Sequence, residues 1–286
     1  PVANALAKLT TTKWHKGDAM SNTMKWLSRL YLTIVYLMMF SPIAVMVIFS
    51  FNASKVGYQW GGFSTHWYSE LFSNAAMVQA AINSVILAVV AATISTAIGG
   101  LTALALQRYD FKGKSILQSL LFVLMMSPEI VLAISLLALF LIVGIQLGFV
   151  TLLIAHITFC LPFVVITVTA RLSSLDTRVL EAARDLGANE FTMIRTVLVP
   201  IILPAILAGW VLAFTLSLDD VVVSTFNTGP DFEILPLQIY SMVRVGVKPE
   251  VNAVGTILLV ISLLGLIISQ LLLAKKSMNL PSTQKR

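Results

Sequence analysis

Three carboxylates interrupt otherwise apolar stretches of this 286-residue chain: Glu129, Asp219 and Asp220. A charge inside a bilayer is costly, so acids in such places mark a substrate or ion path, a proton relay or a counter-ion. Glu129 stands fifteen residues past Lys114, and Asp219 fifteen past Pro204. If both stretches are helices running outward, each acid lies about 22 Å along its helix, at about 1.5 Å per residue. The two then share a depth and, on neighbouring helices, a common space. No Lys or Arg stands at that depth, so a structural pair with a base is not expected. An anionic path without cations suits a cationic cargo, held by carboxylates and by aromatic faces. The alternative for Asp219 and Asp220 is the outer end of a shorter helix. Val221, Val222 and Val223 beyond them argue against simple exposure.

Other polar residues carry less. Pro128 frees a backbone carbonyl in the preceding turn, which Ser127 can help satisfy, so a kink beside Glu129 suggests a lined cavity. His156 reads as a hydrogen-bonded packing residue, and Asn83 and Asn252 as interhelical hydrogen bonders. Cys160 is the only cysteine, which excludes a disulfide framework and a thiolate metal site. The chain has no GxxxxGK[ST] loop to cradle ATP, and neither HExxH nor GxSxG. No catalytic residue, metal ligand or cofactor of its own is expected.

The elements that position these acids are transmembrane helices. Hydrophobic residues make up 58% of the chain and charged ones 11%, with a mean hydropathy of +0.91. A soluble domain carries roughly 25% charged residues. Six apolar segments, 27–50, 81–107, 115–143, 149–171, 201–226 and 251–274, are long enough to span. Lys and Arg gather before the first, between the second and third, between the fourth and fifth, and after the sixth. By the positive-inside rule both termini are cytoplasmic, and the net charge of +6 reflects topology rather than nucleic-acid binding. The predicted organisation is a polar lead at 1–24, with Met20 a plausible native start, one membrane domain at 25–275 and a cytoplasmic tail at 276–286. Trp60, Trp67 and Tyr68 fall in the first outer loop as interfacial aromatics. The third outer loop is predicted to hold a short amphipathic or re-entrant helix near 234–246. Pro249 reads as a first-turn proline.

The cytoplasmic loop from Arg171 to Pro200 is the most informative stretch. Asp176 or Thr177 can cap a helix over 178–186, which Gly187 ends, and Asn189 can cap a second short helix through Arg195. Pro200 marks the next turn. Glu181, Ala182 and Ala183 form a low-relief face that a partner's groove can approach closely. With Gly187 and the Pro-ended run Val197-Leu198-Val199-Pro200, this stretch resembles the EAA loop of permease subunits of bacterial ABC importers with the type I (MetI-like) fold. Val197-Leu198-Val199-Pro200 stands where the family has Ile-x-Leu-Pro, a conservative departure. Other segments resemble the spermidine/putrescine members of that family: Phe49-Ser50-Phe51-Asn52, Met125-Met126-Ser127-Pro128-Glu129, His156-Ile157-Thr158-Phe159-Cys160, Phe214 through Asp220, and Tyr240 through Val247. One departure is Glu129 in place of an expected Asp, which moves the carboxylate outward by one methylene.

The resemblance implies an all-α inner-membrane permease subunit that moves polyamines by alternating access. By position, Glu129, Ser217, Asp219 and Asp220 would line the path and Trp67 its outer mouth. The 176–200 loop would couple to the ATPase through Glu181, Ala182, Ala183 and Gly187, with Glu190 nearby. Implied partners are two cytoplasmic ABC ATPases that bind ATP and Mg, a second homologous permease, and a periplasmic polyamine-binding protein. The competing readings are a permease for another small solute and an ATP-independent secondary carrier. Carriers of that class tend to be built from internal repeats, and the EAA loop would have no purpose in one.

Overall fold

A computed structural model describes residues 22–55, 59–176, 178–246, 249–260 and 263. The polar lead through residue 21, Thr177, the far part of the predicted sixth span and the 276–286 tail lie outside the described residues. Within them the chain is helical throughout, with one isolated antiparallel bridge, Asn52 to Phe63, in the outer loop. Among the described residues, four helices are long and apolar enough to cross a membrane, or five if a bent pair counts as one span.

The first helix, α1 (Asn22–Phe49), has no buried residue in its apolar window. It touches the rest at its outer end, where Gly255 lies so close to Met46 Sδ that a Cβ there would stand 2.6 Å from it. A loop follows, then α2 (His66–Ser73) and α3 (Ala75–Arg108). Asn74 caps α3 by accepting from the Met77 N–H. Its buried face is a run of small residues that includes Ala88, Ala91, Ala92, Ser95, Gly99 and Ala103. Small residues let helix backbones approach in a membrane, where lipid supplies no hydrophobic drive.

That face receives α6 (Phe149–Ser173) and α8 (Glu190–Leu218), and the three form the core. Val164 of α6 is the central knob: a Cβ on Gly99 of α3 would stand 2.8 Å from its Cγ1, and one on Gly209 of α8 3.3 Å. Trp210 of α8 donates its indole N–H to Thr93 of α3 at 3.1 Å. Thr93, Gly99, Val164 and Gly209 therefore fix the spacing of the three spans.

The predicted third span is not one straight helix. It divides into α4 (Lys114–Met126) and α5 (Glu129–Val143), bent by 113° at Ser127 and Pro128. Pro128 has no N–H to continue α4, but Ser127 Oγ donates to the Val123 carbonyl at 2.8 Å, which Ser127 N–H already serves, and not to the Leu124 carbonyl that the proline frees. The size of the bend follows from where α5 packs, against α9 (Val222–Asn227), to which Ala133 O is tied by Asn227 Nδ2 at 3.2 Å.

The predicted fifth span ends early. α8 stops at Leu218, so Asp219 and Asp220 do mark a helix end, yet the chain does not leave the protein there. It turns and enters α9, whose Val223 is fully buried. At the other end of α8, Pro200 does not mark a break. The turn Ile194–Leu198 widens to a π turn, Val199 N–H reaching back to Ile194 O, and the helix runs on through the proline. The outer loop then holds α10 (Leu235–Val245), where a short helix was predicted. Its start is pinned to α3, since Leu235 N–H donates to Ser84 Oγ and Asn83 Nδ2 donates to Glu233 O. The last described helix, α11 (Pro249–Val260), begins the sixth span.

Candidate functional site

The candidate site is the α8–α9 break and the start of α5. Asp219 caps the end of α8, and its carboxylate is exposed with no side-chain partner among the described residues. Glu129 opens α5, is also exposed, and likewise has no partner there. Its helix packs against α9, the segment that follows Asp219 and Asp220, and Asn227 of α9 reaches Ala133, one turn beyond Glu129. The structure thus brings the three acids together, through the α5–α9 contact rather than through equal depth on straight helices.

Asp220 differs from its neighbour. It is 6% exposed, and its carboxylate is surrounded by donors. Val223 N–H donates to Oδ1 at 3.1 Å, while Ser224 N–H and Ser224 Oγ each donate to Oδ2 at 2.8 Å. Fully buried His156 of α6 stands beyond, with Nε2 2.9 Å from Ser224 Oγ and 3.6 Å from Asp220 Oδ2. Its Nδ1 is 2.7 Å from Ser217 Oγ. The absence of Lys and Arg at this depth left no base to expect beside the acids. Buried His156 stands there, 3.6 Å from Asp220 and bonded to the two serines, and its packing role with hydrogen bonds is as predicted. Ser217 is buried and occupied by His156, so its hydroxyl does not face an open space here.

Trp67 is also engaged internally. It is 5% exposed, and its indole donates to Asn52 O at 2.6 Å. Asn52 in turn organises the outer loop, donating to Gln59 O and accepting from Gly61 N–H at 2.8 Å. Trp67 therefore anchors the loop instead of offering an open aromatic face.

At the inner end, α7 (Arg178–Asp185) and the start of α8 form a helix–break–helix as predicted. Asp176 accepts from Arg178 N–H at the start of α7. Gly187 adopts φ +83°, which favours glycine, and Asn189 caps α8 by accepting from Thr192 N–H at 2.8 Å. Glu181, Ala182 and Gly187 are exposed; Ala183 faces inward and is buried. Beside them stand two apolar side chains that sequence reasoning did not single out, Leu186 at 89% exposure and Phe191. The available signal was that both are large apolar residues in a strongly polar loop. Glu190 accepts from Arg108 Nε at 2.6 Å, from Tyr109 Oη at 3.1 Å and from Arg184 at 3.4 Å. It thereby ties the loop to the end of α3. A cleft of about 370 Å³ opens between them, lined by Gln107, Arg108, Leu172, Leu180, Glu181 and Leu198.

Several apolar spans, an acid cluster at a helix break and an exposed helix–break–helix at one face define a multi-pass membrane transport component. The chain belongs to the family of inner membrane components of binding-protein-dependent transport systems, whose model matches residues 95–277. It is accordingly a multi-pass protein of the inner membrane. Among its relatives, the spermidine/putrescine transport system permease protein PotC of Escherichia coli K12 is 58% identical over 247 residues, 86% of this chain and 94% of that one. PotC of Haemophilus influenzae is 52% identical, covering 88% and 98%. The putrescine permease PotI of E. coli K12 is 38% identical, covering 80% and 84%. The fold matches a bacterial ABC transporter involved in import of the acidic polysaccharide alginate, with a TM-score of 0.69, 18% identity, and coverage of 90% and 98%. It also matches the MetNI methionine transporter in inward-facing conformations, with a TM-score of 0.55, 19% identity, and coverage of 68% and 95%. One fold thus serves anionic and zwitterionic cargo, and cargo must be argued from the site.

Proposed function

We propose that this chain is a permease subunit of an ATP-driven importer of polyamines, spermidine or putrescine. The observation that carries the reading is the exposed carboxylate of Asp219, joined by Glu129 and free of any neutralising side chain among the described residues. A diammonium or triammonium chain supplies the missing countercharges, and the two acids sit on separate elements that can part or close around it. The named relatives support the same cargo.

In this reading a periplasmic binding protein delivers the polyamine to the outer mouth, and a second homologous permease closes the path. Two cytoplasmic ATPases bind ATP and Mg, which this chain does not. Their clefts receive α7, with Glu181, Ala182 and Gly187 at the contact and Leu186 and Phe191 as apolar contacts. Movement of α7 passes to α3 through Glu190 and Arg108, and to α8 directly. The α3–α6–α8 core moves as a unit because Gly99, Val164 and Gly209 interlock. Exchange between outward- and inward-facing states then exposes Asp219 to either side in turn.

The test is uptake of labelled spermidine by the reconstituted complex. Uptake is expected to need ATP hydrolysis and to be competed by putrescine. Asp219→Asn is expected to lower it at least about tenfold with assembly intact. Uptake driven by a proton gradient alone, or normal polyamine uptake by Asp219→Asn, would overturn the reading.

A further inference from the structure

Asp219 and Asp220 are adjacent in sequence and opposite in circumstance, and the reason lies in a buried string of side chains. Ser224 has one hydroxyl proton and gives it to Asp220 Oδ2. It cannot also donate to His156, so Nε2 of the ring is the donor in that contact. In a neutral imidazole this leaves Nδ1 as acceptor, and Ser217 Oγ as its donor. With the imidazole neutral, the order runs from end to end: Ser217 to His156, His156 to Ser224, Ser224 to Asp220. Two more donors, the N–H groups of Val223 and Ser224, complete the Asp220 carboxylate.

The string crosses the break. Ser217 is in the last turn of α8, Asp220 and Ser224 are at and beyond the turn, and His156 belongs to α6 of the core. A single imidazole therefore holds both sides of the α8–α9 break against the core, and Asp219 lies between the two points it holds. Buried polar groups left without partners are costly, so the string is held together as a whole.

We infer that His156 is a positioning residue for Asp219, and that Asp220 is the internal anchor of this relay and not a second ligand of the cargo. The inference rests on the reading of Asp219 as a cargo ligand, and its test separates the two. The experiment uses the assembled complex with its ATPases and second permease. The first readout needs no cargo. Asp219→Cys is modified with a cationic thiol reagent, native Cys160 being buried. Adding His156→Leu is expected to change the modification rate at least about fivefold, whereas His156→Gln, whose amide can both accept and donate, keeps it within about twofold. The second readout is spermidine uptake. His156→Leu is expected to raise KM about tenfold with basal ATPase retained, and to add less than about twofold in an Asp219→Asn background.

An unchanged modification rate overturns the inference, as does a KM effect equally large in both backgrounds. If His156→Leu does not assemble, Ser224→Ala replaces it, cutting the ring from Asp220; it is expected to shift the Asp219→Cys rate in the same direction, and no shift overturns the inference. A complex that shows the rate change but imports no polyamine retains the relay and loses the cargo reading.

Discussion

Glu190 at the start of α8 and Asp220 just past its end are both acids held by partners, but they are held in opposite ways. Glu190 is half-exposed and held by charge, between Arg108 and Arg184 with Tyr109 beside them. Asp220 is buried and held by two backbone N–H groups and a serine hydroxyl, with His156 behind. An exposed ion pair adds little to stability because water serves both ions nearly as well. A buried carboxylate depends on its donors, and they on it, because no water is there to replace either. The inner contact can therefore form and part during a transport cycle. The buried contact at Asp220 is built to stay.

Four substitutions grade this contrast. The largest effect is expected of Asp220→Ala, which orphans two buried N–H groups and a hydroxyl. It should destabilise the chain by about 3 kcal/mol or more, read as a lowered midpoint in thermal unfolding of the complex in detergent. A change too small to measure would mean that Asp220 is not an anchor. Next comes Asp219→Asn, which should leave that midpoint unchanged while uptake falls at least about tenfold. A fall in stability with uptake preserved would reverse the roles of the two acids. Third, Glu190→Gln should leave the midpoint within about 2 °C of the parent. It should also loosen coupling, so that ATP hydrolysis continues with less uptake per ATP, an effect that raising salt in the parent reproduces in part. A large loss of stability would place Glu190 with Asp220. The smallest structural effect is expected of Phe191→Ser, a surface change worth within about 0.5 kcal/mol of stability. It should nonetheless weaken co-purification of the ATPase, and undiminished recovery would remove Phe191 from the contact.

The same contrast governs what could be read from the sequence. The helix–break–helix after Asp176 was legible almost whole, because its features act over a few residues. Gly187 ends α7 with a positive φ, and Asn189 caps α8 three residues on. What escaped was its tie to α3, since Arg108 and Glu190 are 82 residues apart. The acids Glu129, Asp219 and Asp220 were visible as costly charges in apolar runs, but their different surroundings were not. His156 meets Ser217 and Ser224 across 61 and 68 residues, and no local pattern encodes that. Trp67 was placed in the outer loop correctly by type. That its indole is committed to Asn52, fifteen residues earlier, depended on how the loop closes.

The sequence by itself determined that this is a multi-pass helical membrane protein with a helix–break–helix between two of its spans and acids in its apolar runs. Those conclusions rest on hydrophobic length, charge asymmetry and short-range capping, which are properties of a segment and its near neighbours. The tertiary structure alone decided that the third span folds over by 113° and that the fifth stops at Leu218. It also decided that of two adjacent aspartates one is satisfied and the other left open. A proline shows only that a hydrogen bond is missing, while packing sets how far the helix turns. An acid shows only that a charge must be met. Which groups meet it depends on what the fold brings within about 3 Å, the reach of a hydrogen bond.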